Sequence, residues 1–205
     1  MSLIDTIKAA TLGHHSLEPE KMAEKLSTYL SLLHKWNKAY NLTAIRDIDA
    51  MILRHLKDSL SIMPFIKGSH LIDVGTGAGL PGLVIAIAKP DIRMTLLDSN
   101  GKKTRFLQEV KRVLALSNIE IIQSRAERYH PEARFDTVIS RAFSDLEDLI
   151  LWTTQMVAVN GIWLAMKGVY PESELSKIHY PYRVETYKVE GLDGERCAVI
   201  IEKDR

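Results

Sequence analysis

The stretch from His70 to Asp98 constrains the fold more than any other part of the chain. His70-Leu-Ile-Asp-Val74 is a short β-rich run, Gly75, Gly77 and Gly79 follow at alternate positions, and a helix-length apolar segment leads to a second β-rich run ending at Asp98. Strand, glycine turn, helix and strand make a βαβ unit, which demands a parallel sheet. Glycine in such a turn admits positive φ and lets a ligand approach the backbone, and Pro81 suits the first turn of the helix. A carboxylate at Asp98, roughly 20 residues after the glycines, can accept hydrogen bonds from ribose hydroxyls at the strand ends.

The rest of the chain extends this unit. Met22, Leu26, Tyr29, Leu30, Leu33 and Trp36 recur at helical spacing, predicting an amphipathic helix over 18–39. Asp47 reads as the N-cap of a second helix that carries Ile48, Met51, Ile52, Leu56 and Leu60 and stops near Pro64. From His70 onward, β-rich runs at 70–74, 93–98, 119–123, 135–140 and 161–167 alternate with helix-length segments. Runs at 183–190 and 196–202, joined by Gly191-Leu-Asp-Gly194, suit an antiparallel hairpin. The expected fold is α/β: a Rossmann-like, mostly parallel seven-stranded sheet with a C-terminal antiparallel hairpin, forming a domain over 67–205 behind a helical extension over 1–66.

Composition narrows the classes. The 205 residues carry 27 basic and 26 acidic side chains, a formal charge of +1, so basicity toward nucleic acid must be local. A single cysteine, Cys197, excludes an internal disulfide. The N-terminus has no apolar core of signal-peptide length, and the longest apolar run, at 83–88, is too short for a membrane. A soluble cytoplasmic protein is expected, and without a coiled-coil repeat, a monomer. Asn41-Leu-Thr43 matches a glycosylation sequon but reads as a turn.

A glycine turn by itself also suits a sharp βα connection with no ligand. With strand, helix and Asp98 in register, nucleotide binding is the stronger reading, through Gly75, Gly77, Gly79 and Asp98. Dinucleotide sites space their glycines G-x-G-x-x-G and hold pyrophosphate on a helix N-terminus. Here the glycines alternate and Asp73 precedes them, a carboxylate that repels pyrophosphate but can receive the ammonium of S-adenosylmethionine (SAM), directly or through water. Ala126 and Glu127, after the third strand, can hold an adenine edge. Arg141, after the fourth, lies where strand order should reverse.

Absent groups limit the methylation chemistry. Pyrimidine carbon methylation calls for a thiolate, and Cys197 sits in the final hairpin, expected far from the crevice. Exocyclic amine methylation uses an Asn/Asp-Pro-Pro-aromatic loop, where this chain has Ser140-Arg-Ala-Phe143. Guanine N7 is a bare lone pair that needs alignment and no general base. No catalytic side chain is therefore assigned beyond a positioning role for Arg141, and no metal. If a helix begins near Asn100, its first turn holds Lys102, Lys103 and Arg105 against the positive end of the dipole, a placement that favours an external anion. Phe106, Val110, Val113 and Leu114 are left for the core. Trp36 reads as core ahead of a base-stacking platform.

Taken as a set, 34–43 (HKWNKAYNLT), 54–59 (RHLKDS), 73–82 (DVGTGAGLPG), 97–99 (LDS), 140–143 (SRAF) and 167–168 (KG) closely resemble the bacterial ribosomal RNA small subunit methyltransferase G family, also called glucose-inhibited division protein B. The resemblance implies a class I SAM-dependent methyltransferase fold. It also implies methyl transfer to N7 of guanine 527 in 16S ribosomal RNA, with the RNA or the small-subunit particle as partner. It places SAM contacts at Gly75, Leu80, Ala126, Glu127 and Arg141, with Asp98 on the ribose. Two other readings stay open: a methyltransferase for another substrate, and a SAM-binding RNA assembly factor.

Overall fold

The computed structural model describes residues 2–12, 18–143 and 145–203. Helix α1 (Leu3–Ala10) opens on a reciprocal cap between Ser2 and Asp5. Helix α2 (Pro19–Tyr40) buries Met22, Leu26, Tyr29, Leu30 and Leu33, the face its spacing predicts. It ends at Asn41 in the left-handed region, φ 50°, so the apparent sequon is a helix-terminating turn. Asp47 accepts from the Ala50 N–H at 2.8 Å, capping the next helix as expected.

That next helix is not uniform. It runs as α3 (Ile48–Met51), a π-helical turn at Ile52–Lys57, and α4 (Asp58–Ser61), before a 3₁₀ turn at Met63–Phe65. In the π turn the Asp58 N–H donates to the carbonyls of Leu53 and His55, and the Arg54 carbonyl accepts from the Arg141 guanidinium, 3.2 Å away. Apolar periodicity alone cannot reveal such a turn, because one extra residue per turn leaves Ile52, Leu56 and Leu60 buried all the same.

The remaining elements alternate: β1 (His70–Val74), α5 (Gly82–Ala88), β2 (Arg93–Asp98), α6 (Gly101–Leu114), β3 (Ile119–Gln123), β4 (Phe135–Arg141), α7 (Leu146–Thr153), β5 (Val157–Lys167), α8 (Glu172–Leu175), β6 (Tyr182–Tyr187) and β7 (Arg196–Glu202). The seven strands form one sheet in the order β3-β2-β1-β4-β5-β7-β6. The first five are parallel, and β7 runs antiparallel between β5 and β6. This is the expected α/β sheet with its terminal hairpin. Strand β5 begins at Val157, earlier than expected, because a register shift against β4 and a left-handed Asn160, φ 61°, carry the pairing past an irregularity that reads as loop in the sequence.

Period-two alternation divides the sheet between two cores. Leu71, Ile139, Leu164 and Ile200 face α2, α5 and α6, where Leu26, Leu30, Leu83 and Phe106 meet them. Ile72, Val138, Trp163 and Val199 face Leu146 and Leu149 of α7. The helical extension shares the first core with the sheet. Trp36 packs there against Phe106, ring centroids 5.7 Å apart, so its role is packing. Val113, expected in the core, is 40% exposed because it lies on the outer flank of α6. Among the described residues no helix is long and apolar enough to cross a membrane.

Candidate active site

The glycine turn is fastened on three sides. The N–H groups of Gly75 and Thr76 both donate to the Leu97 carbonyl, at 2.9 and 3.1 Å, tying the end of β1 to the end of β2. Asp98 Oδ2 accepts from the Gly77 N–H at 2.9 Å, while Oδ1 accepts from the Asn100 N–H at 2.8 Å. From outside the sheet, the buried Tyr29 hydroxyl of α2 donates to the Ala78 carbonyl at 2.9 Å. Gly79 has φ +94°, and a Cβ there would lie 2.7 Å from Leu83 Cβ, so both backbone and packing exclude a side chain. At Gly77, φ +62°, a Cβ would meet only the Gly75 carbonyl oxygen and Lys103 Nζ, each at 3.9 Å, so the backbone conformation and not packing favours glycine.

Strand parity decides where the polar side chains go. Asp73 shares its face with Leu71, so it lies under the turn against α5, fully buried. Its Oδ2 accepts from Thr76 Oγ1 at 2.6 Å and from the Gly82 N–H at 2.8 Å, whereas Oδ1 is buried without a partner. Burial raises its pKa to about 6, against the lowering effect of those two hydrogen bonds. The expectation that Asp73 receives a ligand's ammonium is corrected for direct contact: the carboxylate supports the turn from beneath.

Above the turn is a crevice of about 380 Å³, lined by Val74, Leu97, Ala126, Phe143 and Trp152 on its apolar side and by Asp98, Ser99, Lys103 and Glu127 among its polar groups. Its size falls in the range of small-molecule sites, roughly 300 to 1,000 Å³. Gly75 opens onto it, and Phe143 covers that glycine: a Cβ at Gly75 would lie 3.5 Å from the Phe143 ring. Phe143 in turn meets Trp152 edge to face at 5.6 Å. A buried carboxylate at the end of β2 beside apolar walls fits the ribose and adenine of SAM. Gly75, Gly77, Asp98, Ala126 and Glu127 thus come together. Gly79 and Leu80 lie just beneath, the Leu80 side chain in the core. Lys103 lines the crevice with its ammonium 3.5 Å from Asp98, so one cation of the basic turn already has an internal anion, while Lys102 stays exposed. Trp152 was not singled out in the sequence, where it looks like any apolar helix residue.

Arg141 lies elsewhere. Sharing a face with Ile139, it points toward the helical extension, where Nη1 lies 3.4 Å from Asp58 Oδ2. Together with Ala142, Met166, Lys167, Gly168, Tyr187 and Arg196 they line a second pocket of about 210 Å³ over the ends of β4 and β5. Arg196 Nε stands 3.0 Å from Asp58 Oδ1. Burial pushes the Asp58 pKa up against the pull of both guanidiniums. His55, buried nearby and bonded through Nε2 to Thr43 Oγ1, has its pKa lowered to about 4, first by burial and then by Arg141. Cys197 is not far from the strand ends as expected. Antiparallel pairing sets it opposite Lys167, at the end of β5, but its thiol is buried, contacts the Val169 carbonyl at 3.3 Å and has a raised pKa, which argues against a thiolate nucleophile.

A parallel sheet of this strand order with its antiparallel β7, and a crevice over the ends of β1 and β2, make up the fold of class I SAM-dependent methyltransferases. The fold is shared with a SAM-dependent O-methyltransferase from Thermotoga maritima (TM-score 0.58, 15% identity, 73% of this chain and 66% of that one). It is shared too with a SAM-dependent methyltransferase from Aquifex aeolicus (TM-score 0.57, 15% identity, 76% and 93%). Within that class the chain belongs to the rRNA small subunit methyltransferase G family, whose model matches residues 22–196. A Legionella pneumophila protein named Ribosomal RNA small subunit methyltransferase G is 58% identical over 202 residues, 97% of either chain.

Proposed function

We propose that this protein transfers the methyl group of SAM to N7 of a guanine in 16S ribosomal RNA, guanine 527 by its family resemblance, acting as a monomer in the cytoplasm. The reading is carried by one conjunction: a crevice suited to SAM, in a chain so nearly identical in extent to a relative named for the small-subunit RNA. SAM supplies a methyl group activated by its sulfonium. The residues of the chain bind and align. Asp98 accepts from the ribose hydroxyls, Ala126 and Glu127 flank the adenine, and Gly75 and Gly77 let the donor lie close to the backbone, with Gly79 and Leu80 holding the turn from below. Arg141, at the end of β4, positions the reacting partners. Guanine N7 presents a lone pair, so no proton has to be removed, and alignment alone can contribute several kcal/mol, up to about 7–11, to lowering the barrier.

The test is incubation of the protein and labelled SAM with small subunits from cells that lack the gene. Label should enter 16S RNA at a guanine where reduction and aniline cleave the chain. Label found only in protein or small molecules would overturn the proposal.

A further inference from the structure

The 54–59 segment, Arg-His-Leu-Lys-Asp-Ser, takes no part in the donor crevice, yet it supplies the carboxylate of the second pocket. The π turn delivers Asp58 there with its side chain only 11% exposed, between Arg141 and Arg196. Asp58 Oδ1 is held in the ion pair with Arg196 at 3.0 Å without a well-directed hydrogen bond, and the buried Tyr187 hydroxyl, which faces Asp58, has no well-directed bond either. Lys167, the third cation of the pocket, is already paired with Glu174 at 2.7 Å. The pocket thus contains a carboxylate set between two guanidiniums that offset part of the cost of its burial, with acceptor capacity to spare.

Its place relative to the crevice gives that carboxylate a use. With ribose over β2 at Asp98 and adenine beside Ala126 after β3, the reactive end of the donor extends toward β1 and β4. The second pocket begins there, across the Ala142–Phe143 backbone, where Ala142 is held at φ 54°. A base offering N7 to the donor from that side would bring its opposite edge into the pocket. In guanine that edge carries two adjacent donors, N1–H and the N2 amino group, which match the two oxygens of a carboxylate. Adenine presents an acceptor at N1 instead. The O6 acceptor of guanine lies next to N1, on the side where a guanidinium beside Asp58 can meet it.

We propose that Asp58 reads the N1–H and N2 amino edge of the acceptor guanine, with Arg196 toward O6, making this pocket the base-specificity subsite. The proposal rests on the guanine-N7 reading above. A phosphate-binding role for the same cations is the rival, and it gives Asp58 the opposite effect.

The experiment compares guanine with inosine, which lacks the N2 amino group, at the methylated position of reconstituted small subunits. Inosine forfeits one charge-assisted hydrogen bond, so the wild-type protein should methylate the guanine RNA at least ~10-fold faster than the inosine RNA. Asp58→Asn should lose ~100-fold or more on guanine, discriminate less than about twofold between the two RNAs, and keep its SAM affinity by titration. Equal wild-type rates on the two RNAs would overturn the proposal whether or not the variant folds. So would a variant that folds, judged by SAM binding, and retains the guanine preference, or one that binds RNA more tightly, the phosphate outcome. Failure of the wild-type protein to methylate the guanine RNA at all would instead remove the function on which the proposal stands.

Discussion

The crevice over β1 to β3 takes the larger part of its framework from one stretch, Val74 to Lys103, with Ser124 to Glu127 added from the loop after β3, whereas the pocket over β4, β5 and β7 gathers Asp58, Arg141, Lys167, Tyr187 and Arg196 from five separate segments. The first is fastened largely through the backbone: amides of Gly75, Thr76 and Gly77, and the carbonyls of Leu97 and Ala78. The second is made of side chains braced against one another. A site built on backbone geometry needs glycines and one carboxylate in register. A site built from distant charges needs the whole fold before it exists.

The contrast can be broken most forcefully at Asp98. Asp98→Ala removes the acceptor of the Gly77 N–H and, on the function proposed, of the ribose hydroxyls, two charge-assisted bonds at about 1.5–3 kcal/mol each. SAM affinity by calorimetry should fall ~100-fold or more, while RNA binding stays near wild type. Equal loss of both would mean that the two regions are not separable.

A smaller effect distinguishes the regions by acid titration. Folding raises Asp73 from 3.8 to about 6, so its contribution to stability is whole below 3.8 and is lost as pH rises through 6. Folding lowers His55 from 6.5 to about 4, so its contribution is whole above 6.5 and is lost as pH falls toward 4. Between about pH 4 and 6 the slopes oppose, each near 1.4 kcal/mol per pH unit. In thermal melts across that window, Asp73→Asn should steepen the loss of stability on acidification and His55→Gln should lessen it. Parallel behaviour of the two variants would contradict the assignment of these shifts.

The smallest change sharpens the comparison at Tyr29, whose hydroxyl reaches from the helical extension to the turn. Tyr29→Phe removes the bond to Ala78, worth about 1 kcal/mol. The midpoint of melting should drop by ~2–4 °C and SAM affinity severalfold, with turnover at saturating SAM unchanged. An unaltered SAM affinity would show that the turn needs no support from α2.

The same division explains what could be read from the sequence. Strands β1 to β4, the glycine turn and Asp98 were legible because each depends on residues close in the chain, with a period or spacing that physics fixes. The direction of Asp73 was not, although its partners Thr76 and Gly82 are near, because whether that carboxylate faces ligand or core depends on which face of β1 the helices cover. Arg141 could be assigned to the strand end but not to Asp58, since nothing local couples positions 83 residues apart. The π turn left no mark at all. Cys197 was misplaced because pairing of the hairpin onto β5 decides which end of the sheet it reaches.

The bond from Tyr29 to Ala78 also couples motion to occupancy. Since the hydroxyl of a long N-terminal helix holds the carbonyl of the cofactor turn, local opening of α2 and loosening of the turn are one event, and a ligand that requires the closed turn suppresses that opening by mass action. Amide hydrogens of α2 around Tyr29, none of which faces the crevice, should therefore exchange more slowly with SAM bound, so that the extension reports on the donor site without touching it.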